Sequence, residues 1–285
     1  VARRARVDAE LVRRGLARSR DHAAELIRSG RVLIAGATAE KPATAVEAGT
    51  PLRVIEVTDE VAWASRGAHK LLGALDAFEP DGLAVTGRRC LDAGASTGGF
   101  TDVLLSRGAR EVVAVDVGYG QLVWRLQQDE RVLVHDRTNV RAIDAATIGG
   151  PVDLIVADLS FISLGLVLPA LASCLAPGGD IVPMVKPQFE VGRDNLGAGG
   201  VVRDPRLRAS AVLEVARSAA ALGLRTRGVT ASPLPGPSGN VEYFLWLRTD
   251  GSPADGTETP QIASTPFDEE TVGEMIDRAV REGPE

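Results

Sequence analysis

At 285 residues, with 45% hydrophobic and 25% charged side chains, the chain can form one large or two modest domains, each with its own core. No apolar run approaches the ~18 residues of a membrane span, and Cys90 and Cys174 stand alone, without the spacing of metal ligands, which argues against a membrane protein and a zinc module. The net charge of −6 hides an asymmetry: residues 249–285 carry ten acids against two bases, while residues 1–31 carry nine arginines against four acids.

That basic segment is expected to face phosphate, with Arg4, Arg6, Arg18 and Arg20 as candidate RNA contacts, unless it is simply a solvated helix face. Two short helices are predicted within residues 8–34, the first capped by Asp8 and carrying Leu11 and Val12. The second is capped by Ser19, carries Ala23, Leu26 and Ile27, and is stopped by Gly30. RVLIAG and PLRVIEV read as strands around a loop at 36–49. Residues 1–60 thus form a small α+β module, followed by a tether at 61–65 with Trp63 at its centre, either packed in a seam or coupling the two parts.

From residue 66 to 248 helix and strand alternate. A helix at 69–78 precedes strands at 89–93, 111–116, 131–134, 152–157, 180–185, 225–231 and 241–247, with helices at 99–107, 163–175 and 205–222. Runs such as DLIVAD and DIVPMV suit a parallel sheet covered on both faces, and the last strand is free to run antiparallel. Residues 249–264 read as a linker and 267–281 as an amphipathic helix carrying Val272, Met275, Ile276 and Val280. The cysteines are expected to be buried and reduced, and the arginine-rich N-terminus lacks the apolar core of a secretion signal; both point to the cytoplasm.

The most informative stretch is RRCLDAGASTGGFTDVLL, a strand, a glycine turn at 94–99 and a helix, followed by a second strand that ends in Asp116. Glycines let backbone approach a ligand, and an acid at the second strand's end can hold ribose hydroxyls. The dinucleotide pattern G-x-G-x-x-G would need glycine where Ser96 stands. The observed D-x-G-x-x-x-G-G suits a ligand with ribose and adenine but no pyrophosphate, and S-adenosylmethionine is expected, with neither NAD nor a metal.

Lysine usage is the second signal. Of 32 basic residues only Lys41, Lys70 and Lys186 are lysine, and lysine, unlike arginine, can give up its proton. Lys186 and Asp158 end predicted strands at the edge where open α/β sheets bind ligands. Lys70 lies on the helix that opens the domain, and Glu242 begins the last strand. Two amines and two carboxylates around one ribose hydroxyl suit methyl transfer, in which the attacking oxygen loses its proton. Cytosine carbon methylation fits less well, because neither cysteine ends a strand at this edge, and base amino-group methylation lacks its Asn-Pro-Pro-aromatic turn.

The N-terminal RVDAELVRRGLARSRDHAAELIRSGRVLIAG resembles the RNA-binding module named after ribosomal protein S four. SRGAHKL (65–71), LDAGASTGGFTD (91–102), ADLSFISL (157–164), MVKPQFEVG (184–192) and GPSGNVEYF (236–244) resemble, in order, the TlyA family of bacterial rRNA (cytidine-2'-O)-methyltransferases, some of which carry a hemolysin name. The resemblance implies an α/β, Rossmann-like class I methyltransferase sheet of the FtsJ type and a catalytic tetrad of Lys70, Asp158, Lys186 and Glu242. For the donor it implies Asp92, Gly94, Ser96, Gly98, Gly99, Phe100, Thr101, Asp116 and Val117. Asp136 and Asn139 are weaker adenine-edge candidates, and Asp136 could simply end its strand. The implied partner is rRNA, cytidines of 16S and 23S, with no membrane and no obligate protein partner. Two competing readings are an RNA-binding assembly factor without turnover, which need not keep the tetrad, and a pore former.

Overall fold

The structure is a computed structural model describing residues 4–47, 49–55, 63–249 and 267–284. The chain divides into two compact units, residues 1–62 and 63–285. The first two tether residues, most of the linker at 249–264 and the end of the strand expected at 51–57 lie outside the described residues.

In the first unit, β1 (Arg4–Arg6) leads directly into α1 (Val7–Arg13), and α2 (Arg20–Arg28) follows. Ser19 caps α2 as expected, its hydroxyl accepting the His22 N–H at 3.1 Å. Asp8 is not the cap of α1: Arg6 holds that position without a side-chain bond, and Asp8, inside the helix, turns its carboxylate to arginines. The expected loop at 36–49 holds two short strands, β3 (Ala37–Thr38) and β4 (Ala45–Glu47). Before them runs β2 (Val32–Ile34) and after them β5 (Leu52–Val54). β2 pairs antiparallel with β3 and β5, and β1 with β4. Strands of two or three residues are too short for alternation to show in sequence. Val7, Leu11, Ala23, Leu26, Ile27 and Val32 form the core of this unit.

The second unit opens with α3 (Gly67–Phe78), β6 (Arg89–Ala93), α4 (Gly99–Ser106), β7 (Glu111–Val115), α5 (Trp124–Gln127), β8 (Val132–His135) and β9 (Val152–Ala157). It continues with α6 (Leu168–Ser173), β10 (Leu175–Val185), α7 (Pro187–Glu190), α8 (Pro205–Ala220), β11 (Leu224–Ala231), β12 (Tyr243–Thr249) and α9 (Glu269–Glu282). The helix expected at 163–175 is shorter and split, a 3-10 turn at Leu164–Leu166 and then α6, because Pro169 can only sit in a helix's first turn. β10 accordingly starts at Leu175, earlier than expected; it pairs with β9 there, opposite Val152, and again from Asp180 after a register shift that spans the Pro-Gly-Gly of residues 177–179.

The seven strands lie in the order β11-β12-β10-β9-β6-β7-β8. β10, β9, β6, β7 and β8 are parallel, and β12 is antiparallel to both β10 and β11. Alternation along each strand feeds two cores: Leu91 and Ala93 pack on one face of the sheet with α8 and α9 residues, Cys90 on the other with Leu71, Leu75 and Leu104. Both cysteines are buried and free, and burial pushes the Cys90 thiol up to about 12 and the Cys174 thiol to about 11. Chain order reverses beside β6: β7 and β8 lie to one side, β9 to the other, so the ends of β6 and β9 flank the crevice where open α/β sheets bind ligands. Among the described residues no helix is long and apolar enough to cross a membrane.

Candidate active site

Two buried-to-half-buried ion pairs form at the carboxyl edge of the sheet. Lys70, on α3, is 2.5 Å from Glu242, which stands one residue before β12, with both side chains nearly sealed from solvent. Lys186, the residue after β10, has its Nζ 2.6 Å from Asp158 Oδ1, the residue after β9. Adjacency of β9 and β10 therefore brings the second pair together. Lys70 and Asp158 both line one cavity of about 220 Å³, and this links the two pairs.

Gly94, Ser96, Gly99 and Phe100 line the same cavity, together with Ser65, Arg66, Gly67, Ala95, Thr97 and Pro237. Gly94 has φ +88, and a Cβ there would stand 2.5 Å from the Asp158 carbonyl oxygen, so the turn can pass beside the end of β9 only as glycine. At Gly99 a Cβ would collide with Ser65 Oγ, so the last residue of the expected tether packs against the start of α4 and walls the pocket. The motif SRGAHKL held that signal, since Ser65 and Arg66 stand just before Lys70.

Asp92, the penultimate residue of β6, is wholly buried. Its Oδ2 accepts from Thr101 Oγ1 at 2.7 Å, while Oδ1 has no hydrogen-bond partner among the described residues. Burial raises its pKa to about 7 against the opposing Thr101 hydrogen bond, with the charges of Asp158 and Asp116 adding to the rise. Asp116 caps the turn from the neighbouring strand: Oδ2 accepts the Ser96 N–H at 2.8 Å and Oδ1 the Gly118 N–H at 2.7 Å. Gly98 opens α4 at φ +100, and a Cβ there would strike Leu126. Val117 is exposed. Asp136 Oδ2 accepts the Gly120 N–H at 2.9 Å, closing the loop after β7. Asn139 caps a 3-10 turn, accepting the Arg141 N–H at 3.0 Å. The glycine turn lines the cavity, Asp116 is hydrogen-bonded to it through Ser96, and the buried Asp92 stands behind it; residues of this kind could hold the ribose of S-adenosylmethionine.

Trp63 packs against the core on the α3–α4 face of the sheet. The next residue's N–H bonds to Asp102 Oδ2 at 2.9 Å, and Arg125 grips the same carboxylate. Sequence reading also missed Ser160, whose Oγ accepts from Lys186 Nζ at 2.9 Å, and Glu190, whose carboxylate accepts the Ser163 hydroxyl at 2.6 Å and the Leu164 N–H at 2.9 Å. Burial raises Glu190 above the usual carboxylate range, the two hydrogen bonds opposing it.

In the first unit the four candidate arginines differ. Arg6 and Arg20 converge on Asp8, at 2.9 and 3.1 Å, and their hydrogen bonds, Arg6's above all, hold that carboxyl down near 2 against the upward effect of burial. Arg4 lies 3.6 Å from Glu47. Arg18 is exposed and makes no ion pair among the described residues.

Residues 63–249 match the FtsJ-like methyltransferase family and residues 5–52 the S4 domain. The chain is 63% identical over 285 residues, all of both proteins, to the 16S/23S rRNA (cytidine-2'-O)-methyltransferase TlyA of Mycobacterium tuberculosis. It is 41% identical to Bacillus subtilis YqxC, provisionally named an rRNA methyltransferase, across 91% of each chain. A solved structure of a provisionally named hemolysin from Streptococcus thermophilus superposes with a TM-score of 0.72 at 36% identity, covering 99% of this chain and 98% of that one.

Proposed function

The chain belongs to the TlyA family of FtsJ-like, S-adenosylmethionine-dependent methyltransferases, and we propose on that footing that it methylates the ribose 2'-hydroxyl of cytidines in 16S and 23S rRNA. The observation that carries this reading is the set of two Lys–carboxylate pairs joined by a cavity that the glycine turn also lines.

S-adenosylmethionine, when bound, supplies an electrophilic methyl on a sulfonium and leaves as the neutral thioether. We assign its seat to the turn at 94–99, with Asp116 toward the ribose and the buried Asp92, bonded to Thr101, behind the turn. Lys186 Nζ takes the proton of the 2'-hydroxyl as the oxygen gains the methyl. Asp158 keeps the Lys186 amine at the edge, and Glu242 does the same for Lys70, whose positive charge stabilises the oxygen as it loses its proton. The first unit supplies salt-dependent rRNA affinity through arginines, and the cytoplasm is the compartment where ribosomes meet such an enzyme. The pore-forming reading gains no support from the described helices, and the inert-binder reading does not explain two Lys–carboxylate ion pairs at one cavity.

Incubating the protein and labelled S-adenosylmethionine with ribosomal subunits tests the proposal. Label should reach rRNA and resist alkaline cleavage at the modified ribose. Label confined to base atoms, or none at all, would refute it.

A further inference from the structure

Two groups reach the Lys186 amine, and they act differently. Asp158 Oδ1 stands 2.6 Å from Nζ, at ion-pair distance, yet forms no hydrogen bond of proper angle among the described residues. Ser160 Oγ accepts a directional hydrogen bond from the same nitrogen at 2.9 Å. A lysine amine is a compact charge on a freely turning stem. Attraction to a carboxylate keeps it near without fixing rotation about its last bond, whereas an aligned hydrogen bond fixes that rotation.

We propose that Ser160 is a positioning residue for methyl transfer, accepting one N–H of Lys186 so that the lone pair of the neutral amine points at the ribose 2'-hydroxyl. This rests on Lys186 being the base. A neutral lysine amine has two N–H bonds and one lone pair. With one N–H held by Ser160 and the other drawn toward Asp158, the lone pair is left facing the acceptor. As the 2'-oxygen bonds to the methyl, the methyl–sulfur bond breaks, the 2'-O–H bond breaks, and the proton ends on Nζ.

The loop that carries Ser160 is tied at both ends. It leaves β9 at Asp158, whose N–H bonds to the Ala93 carbonyl at 3.0 Å. At its far end Ser163 and Leu164 both donate to Glu190, on the one-turn helix α7 that begins immediately after Lys186. One carboxylate thus locks the Ser160 loop to the segment that carries the amine, and the Ser160–Lys186 distance is set by both. Ser160 is itself exposed, so its environment tolerates an added methyl.

The test compares full-length wild type with Ser160→Ala, Ser160→Thr and Lys186→Arg. The measurements are single-turnover transfer to ribosomal subunits, steady-state KM for subunits, and S-adenosylmethionine affinity by calorimetry. Ser160→Ala should slow transfer about 3- to 10-fold, the effect of one neutral hydrogen bond, with KM and donor affinity unchanged. Ser160→Thr, which keeps the hydroxyl, should restore the rate. A normal rate in Ser160→Ala beside an inactive Lys186→Arg would overturn the role of Ser160 while leaving the base in place. An active Lys186→Arg would overturn the base itself. Loss of donor affinity in Ser160→Ala, without rescue by threonine, would mark the serine as a loop-folding residue and overturn the proposal as well.

Discussion

Asp116 accepts the backbone N–H of Ser96 at 2.8 Å, so the acid just after β7 and the glycine turn after β6 form a single hydrogen-bonded unit. Ser96 sits at φ +48, a left-handed conformation that this hydrogen bond helps to hold. Asp116→Ala should therefore remove a ribose acceptor and loosen the turn together. Calorimetry should show donor affinity falling at least tenfold, consistent with loss of charged hydrogen bonds of about 1.5–3 kcal/mol. Unchanged affinity in the folded variant would mean that the donor lies elsewhere.

Asp92 gives the donor-free protein a pH signature. Its folded pKa, about 7, lies above the ordinary 3.8, so the folded state holds the proton more tightly than the unfolded chain does. The stability this contributes is complete below 3.8 and is lost as pH rises through about 7. Asp92→Asn has no such proton to lose. The Tm of wild type relative to Asp92→Asn should fall as pH is raised from about 4 to about 8. Parallel Tm curves for the two proteins would show that Asp92 is not held protonated.

Glu242 and Lys70 form an ion pair that is nearly sealed from solvent, with side-chain exposures of 1% and 8%. Removing one partner of a buried pair leaves an uncompensated charge. Glu242→Ala should therefore cost about 3–5 kcal/mol in chemical denaturation, and Lys70→Met in the same background should recover much of it. A loss under about 1 kcal/mol would place the pair at the surface.

The arginines of the first unit should separate into two kinds. Arg18→Glu should weaken binding to ribosomal subunits and flatten its salt dependence by about one phosphate contact, with thermal stability unchanged. Arg6→Glu should reduce both, because its guanidinium also neutralises Asp8. Equal losses of stability in the two variants would contradict this division.

Much of the site was legible because its residues carry chemistry at strand ends. Lys186, Asp158, Asp116 and the glycine turn each follow an apolar strand that the sequence marks clearly, and parallel pairing gathers such ends at one edge. Lys70 and Glu242 were nameable, but their direct pairing was not, since 172 positions separate them. Ser160 and Glu190 stayed hidden because serine and glutamate in a loop usually mean only solvent or a cap. The paired strands β1 and β4 escaped because three residues cannot display a period. Arg6 and Arg20 read as phosphate contacts, because nothing in the sequence shows that both turn to Asp8, Arg6 from two residues before it and Arg20 across the turn between the helices.

The central claim is that Lys186 takes the proton of a ribose 2'-hydroxyl, and Lys186→Arg tests it most directly. The guanidinium keeps the positive charge beside Asp158 but cannot act as a base. Single-turnover methyl transfer to ribosomal subunits, with donor and rRNA both saturating, should fall by about 10²–10⁴ while donor affinity stays within a factor of a few. A Lys186→Arg protein that transfers methyl within tenfold of the wild-type rate would contradict the account.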